Sequence, residues 1–135
     1  MGVIKQKPSQ LAPLTLAYIG DGVYELFVRT RIIEENENMP AHKLHKKAIQ
    51  YVKAHSQSQS IAALMPMLTE EEEAVFRRGR NAKSHTVPKN ADLMDYKRAT
   101  GFEALIGYLY LSEQEERLTE LMNTAYENAL NNCQS

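Results

Sequence analysis

Residues 16–27 read Leu-Ala-Tyr-Ile-Gly-Asp-Gly-Val-Tyr-Glu-Leu-Phe, an apolar run that holds Asp21 between two glycines, Gly20 and Gly22. Leu16, Ile19, Val23 and Phe27 recur at the helical period, with Tyr24 and Val28 beside them, so the run belongs to an amphipathic helix. We place that helix from about Leu11 to Ile33, after Pro8 and Ser9. A glycine inside a helix costs roughly 1 kcal/mol against alanine, and an unpaired buried carboxylate costs more. Keeping all three together implies that something approaches the backbone closely here: another helix, a metal or a phosphate. The competing reading is an aspartate that faces solvent or caps a neighbouring backbone.

Outward from this helix, nothing in the chain reads as a strand. Pro40 opens a second helix over 39–56, with Leu44, Ala48, Tyr51 and Val52 inward. A short third helix, 58–68, is bent or ended by Pro66. Thr69 with Glu72 and Ser112 with Glu115 have the spacing of capping boxes and mark the starts of two more. Between those two lies a long helix from about Asp92 to Leu111, apolar on nearly every face beyond Phe102. It is either the central helix of a bundle or partly the contact for a partner. Gly79 to Ala91 is polar, contains Pro88 and is long for a loop between helices, so we mark it as functional. The fold class is all-α.

With 135 residues, the chain is read as one domain, 1–135, with an ordered core over about 10–131. A net charge of −1 means that any nucleic-acid contact depends on locally clustered charge. The single cysteine, Cys133, excludes an internal disulfide framework or a Cys-rich zinc site and reads as an inert tail thiol. No apolar run resembles a signal sequence or reaches membrane-spanning length, so a cytoplasmic location and no membrane partner are expected.

A second acid has a context like that of Asp21. Glu103 is the sole acid between Asp95 and Glu113, and Gly101 and Gly107 flank it. Two apolar helices with one acid each suggest facing carboxylates that share a cation. Mg²⁺ suits such a sparse site, because it is commonly held by one or two carboxylates and keeps waters for phosphates. Two acids satisfied by internal hydrogen bonds or by arginines such as Arg98 are the alternative. Lys43, Lys46, Lys47 and Lys53 share the second helix, and Arg77, Arg78, Arg80, Asn81, Lys83, Ser84 and Lys89 gather at the fourth helix end and in the loop. The second group suits phosphate and sugar contacts, although arginines at a helix C-terminus also favour the dipole. His42 and His45 lack a third ligand nearby in sequence. Glu70 to Glu73 has the look of an acidic metal box, but acids are also favoured in a first turn.

Together, LAYIGDGVYELFVRTRI and TGFEALIGYLYL resemble the two acidic helices of ribonuclease III catalytic domains. The usual patterns there are Leu-Glu-Phe-Leu-Gly-Asp and Asp-x-x-Glu-Ala-Leu-x-Gly. More narrowly, the short chain, the sequence RGRNAKS and the stretched loop before Asp92 resemble the Mini-III ribonucleases, a bacterial branch made of the catalytic domain alone. The resemblance implies the ribonuclease III helical bundle as a homodimer and Mg²⁺-dependent cleavage of double-stranded RNA. It also implies the base-paired stalk of the 23S ribosomal RNA precursor as substrate, with a ribosomal protein on that precursor as a candidate partner. Asp21 and Glu103 match the family's catalytic, metal-holding acids. Ala17 stands where the first pattern has glutamate and Thr100 where the second has aspartate, so one tightly held Mg²⁺ is expected, with a second recruited by RNA phosphate and with Ala17, Thr100 and Gly20 around the site. RNA contacts are expected from Arg78, Arg80, Asn81, Lys83, Ser84, Lys89, Lys46 and Lys47. Two other readings are a catalytically silent RNA-binding member of the fold and an all-α nucleotide pyrophosphohydrolase using Glu70 to Glu73.

Overall fold

The computed structural model describes residues 4–83, 89 and 92–134, with the side chains of Cys133 and Gln134 left aside. Its six helices are α1 (Pro13–Glu35), α2 (Ala41–Val52), α3 (Ala54–Leu64), α4 (Glu70–Asn81), α5 (Leu93–Leu111) and α6 (Glu115–Gln134). Short 3-10 turns at Pro8–Gln10 and Met65–Met67 precede α1 and α4. No strand occurs among the described residues, and no helix there is long and apolar enough to cross a membrane.

The expected all-helical chain is what forms, and α5 is its central helix: α1, α3, α4 and α6 all pack on it. That position explains its lack of a polar face. Ala99 to Ala104 without Glu103, and Leu105 to Leu109, are all buried. Tyr110 remains 40% exposed. Asp92 opens α5, its side chain accepting from the Asp95 N–H. The α1 stripe is Leu16, Gly20, Tyr24, Val28 and Ile32, with Val23 and Phe27 partly buried against the same core. The Tyr24 ring meets Phe102 of α5 edge-on, with centroids 4.9 Å apart.

Glycines bring these helices to backbone contact. A Cβ on Gly20 would lie 1.7 Å from the Glu103 carbonyl oxygen, and one on Gly107 would lie 1.9 Å from that of Leu16. On the other side of α5, a Cβ on Gly79 would come within 2.9 Å of the Gly101 Cα. Any side chain at the first two positions forces the helices apart.

Three boundaries differ from expectation. The second helix stops at Val52, because Lys53 is extended (φ −65°, ψ 152°), and the expected third helix begins earlier as α3 at Ala54. The Ser56 and Ser60 hydroxyls donate to the Gln50 and Ala125 carbonyls, so a serine-rich turn is buried that polarity alone assigns to the outside. The Thr69–Glu72 capping box forms with both its hydrogen bonds, whereas the Ser112–Glu115 box does not. Ser112 instead ends α5, with Glu113 at φ 60° and the Gln114 N–H donating to the Leu109 carbonyl. This is a Schellman stop with glutamate where glycine is commonest. Finally, α4 runs on to Asn81, three residues into the segment read as loop. Of the rest of that segment, Ser84 to Pro88, Asn90 and Ala91 lie outside the described residues.

Candidate active site

The α1–α5 crossing at Gly20 and Gly107 brings Asp21 and Glu103 together. Asp21 follows Gly20 directly, so the contact that seats Gly20 against the Glu103 carbonyl turns the next side chain to the edge of the joint. Asp21 is exposed there and Glu103 is half-buried. The two carboxyls are within hydrogen-bonding reach. Burial, then the hydrogen bond to Asp21 and its negative charge, push the Glu103 carboxyl from the usual 4.5 up to about 9. Burial and the neighbouring Asp21 thus favour the protonated form of the Glu103 carboxyl. Like charges at close range are relieved by a shared proton or by a cation in its place.

This donor set fits Mg²⁺. One or two carboxylates with open positions for water and phosphate are how that ion is commonly held. Ala17 is buried on α1, and Thr100 is buried on α5 with its hydroxyl donating to the Tyr96 carbonyl of its own helix at 2.9 Å. Neither adds a charged ligand. Among the described residues, no group of three or more His, Cys, Asp or Glu side chains gathers as a metal cluster.

The glycines flanking Asp21 do different things. Gly20 makes room for α5, not for a ligand of Asp21. A Cβ at Gly22 would meet nothing within 4 Å, so that position opens onto the outer face of α1.

The acidic run at the start of α4 is engaged elsewhere. Tyr108 donates its hydroxyl to Glu71. Glu72 is 4% exposed and accepts from Nε and a terminal nitrogen of Arg117, both at 2.8 Å, while Arg117 also donates to the Met67 carbonyl. Arg117 first, with the Thr69 cap beside it, holds the Glu72 carboxyl below its usual range. These partners leave the pyrophosphohydrolase reading without its metal box. Sequence reading missed Arg117; its sole signal was a basic residue on a helix that opens with glutamates.

The candidate RNA contacts divide. Lys46 and Lys47 are exposed on α2, and Asn81, Lys83 and Lys89 are exposed at or beyond the end of α4. Because α2 packs on α1, α3 and α6 while α4 packs on α5 and α1, the two basic groups belong to different parts of the surface. Arg80 is half-buried, its guanidinium 5.7 Å from the Phe76 ring centroid. Arg78 donates to the Ser9 and Leu11 carbonyls at 2.9 and 3.1 Å. Ser84 lies outside the described residues.

The Ribonuclease III domain family matches residues 14–114. The chain is 57% identical to the Mini-ribonuclease 3 of Clostridium tetani over 118 residues, covering 87% of this chain and 78% of that one. It is 52% identical to the Mini-ribonuclease 3 of Symbiobacterium thermophilum, covering 87% and 90%. A crystal structure of a Fusobacterium nucleatum protein superposes with a TM-score of 0.79 at 30% identity, covering 87% of this chain and 93% of that one.

Proposed function

The chain belongs to the ribonuclease III family, and from that premise we propose that Asp21 and Glu103 hold the Mg²⁺ of an active site that cuts double-stranded RNA. It is an endoribonuclease. The observation that carries the site assignment is the carboxyl pair at the α1–α5 crossing, where Glu103 retains a proton that a cation would displace. When bound, Mg²⁺ supplies the Lewis acidity that makes water a nucleophile at neutral pH and offsets charge on the scissile phosphate. Glu103 fixes the inner side of the site because its backbone is locked against Gly20. Asp21, at the exposed edge, faces the incoming strand. Lys83, Lys89, Arg80 and Asn81 at one place, and Lys46 and Lys47 at another, bring phosphates to the surface; such contacts weaken steeply with salt.

We read the substrate as the base-paired stalk of the 23S ribosomal RNA precursor, a role consistent with the name Mini-ribonuclease 3 that the relatives share, with a ribosomal protein on it as a candidate partner. Residues 1–135 are read as one catalytic domain, a reading supported by the apolar core cluster that joins all six helices among the described residues. A homodimer is supported by the outer face of α1, where Leu14, Tyr18, Leu26 and Ile33 are 40%, 83%, 68% and 51% exposed around the open Gly22. An apolar row of that kind suits a protein contact. A cytoplasmic location follows from the same reading.

The test is cleavage of a long RNA duplex by the parent and Asp21→Ala proteins, each with and without Mg²⁺. Cutting by the parent alone, and with metal alone, is expected. A parent that binds the duplex without cutting it would instead point to a silent binding module. Unfolding of Asp21→Ala would make the acid structural.

A further inference from the structure

Two sides of a triangle of helices are closed at backbone contact: α1 on α5 through Gly20 and Gly107, and α4 on α5 through Gly79 and Gly101. The third side, between α4 and the start of α1, is closed differently. Arg78, next to Gly79 on α4, places one guanidinium nitrogen 2.9 Å from the Ser9 carbonyl and the other 3.1 Å from that of Leu11. The guanidinium fork suits two acceptors at once, which the ammonium of lysine does not reproduce. At the other end of this link, α1 begins at Pro13, and its N-cap Ala12 makes no side-chain capping bond. The N-terminal end of α1 is thus tied to α4 by the segment that Arg78 grips.

We propose that Arg78 is a positioning residue for the metal-holding pair rather than a ligand of RNA phosphate. By gripping Ser9 and Leu11 it sets where α1 begins on α4. Asp21 lies just over two turns into that helix, about 12 Å along its axis. A rigid helix carries a shift at its start into the carboxylate, and Gly20 allows little tolerance at the crossing. Arg78 reaches neither acid itself; it acts through α1. Both of its bonds go to backbone carbonyls, which fix the guanidinium against the segment before α1 although the side chain stays exposed. This inference rests on the reading of Asp21 and Glu103 as the metal site.

The test compares the parent, Arg78→Ala and Arg78→Lys proteins, with Arg80→Glu as the reference for a lost RNA contact. Mg²⁺ and Mn²⁺ affinity is measured by calorimetry on RNA-free protein, and KM for an RNA duplex is measured across a salt series. Arg78→Ala is expected to weaken metal binding about threefold to tenfold. Its KM for the duplex and the salt slope stay at parent values, and trypsin cuts faster after Lys5. Arg78→Lys keeps the charge but loses the fork, so it weakens metal binding in the same direction; it carries the comparison if the alanine variant fails to fold. A raised KM and a salt slope shallower by about one, with metal affinity unchanged, would make Arg78 a phosphate contact and overturn the proposal. Parent-like values throughout would overturn it too, leaving the grip structural. A parent that binds no metal sinks this proposal together with the metal-site reading, whereas a variant-only failure sinks this one alone.

Discussion

Gly20 and Gly22 sit two residues apart on one helix and respond to alanine with opposite signs. At Gly20 the new Cβ lies 1.7 Å from the Glu103 carbonyl oxygen and 2.8 Å from the Gly107 nitrogen. Carbon–oxygen contacts settle near 3.3 Å or more, so α1 and α5 must part by roughly 1.5 Å. Forcing atoms into a packed core costs about 1–3 kcal/mol, and a rigid backbone neighbour puts this site at the upper end. The better helix propensity of alanine returns about 1 kcal/mol. A net loss of about 2 kcal/mol follows, which lowers Tm by about 7 °C for a chain of this length. At Gly22 nothing lies within 4 Å of the new Cβ, so the propensity gain remains, about 0.5–1 kcal/mol and about 2–3 °C upward. Thermal melts of dilute protein followed by circular dichroism measure both shifts. Gly20→Ala is also expected to lose about 100-fold in duplex cleavage well below its Tm, because misplacing a reacting group by about 1 Å has that effect. A Gly20→Ala protein with parent Tm and parent activity would refute the backbone crossing, and with it the reason that the two carboxyls meet.

The protonated Glu103 gives a pH signature. Its folded pKa of about 9 lies above the usual 4.5, so between those values the folded, metal-free protein holds the extra proton and loses stability as pH rises. Glu103→Gln should flatten that fall in urea titrations, and Mg²⁺ binding to the parent should release close to one proton at pH 7, seen by calorimetry in buffers of different ionisation enthalpy; zero release would contradict the shared proton. Arg117→Ala strands Glu72, which is 4% exposed, and should cost about 3–5 kcal/mol in chemical denaturation. Because the Glu72 carboxyl is held below its usual range, this contribution is present above the unfolded pKa and fades as pH falls through the depressed one, so parent and variant should converge in acid.

The helices, their order and the acid pair were legible because each left a local mark. The period of α1, the Thr69–Glu72 box and the Asp92 cap all lie within one turn of the feature they announce. The break at Lys53 left none, since no proline or glycine marks it; the Tyr51–Tyr126 stack, with centroids 4.4 Å apart, joins the end of α2 to α6 there. Ser112 and Glu115 carried the right residues for a box, but a tertiary turn with Glu113 at positive φ took Ser112 as a helix stop instead. The separate tasks of Gly20 and Gly22 were equally hidden, because which side of a helix meets a neighbour is decided by residues far along the chain. Arg78 shows the same limit. Its composition matches a phosphate contact, and its two carbonyl partners belong to the other end of the sequence.

The central place of α5 has a consequence for how the protein is made. Synthesis delivers α1 to α4 first, and α1 and α4 each keep a glycine face waiting for a helix not yet translated. Until α5 emerges, Asp21 has no second carboxylate and the Gly20 face has no backbone to seat on. Domains form as units once their chain is available, so the proposed metal site comes into being only after α5 has been translated. A product stalled before α5 carries only one of the two acids proposed to hold metal, so on that reading it cannot turn on the folded RNA that surrounds it at the ribosome.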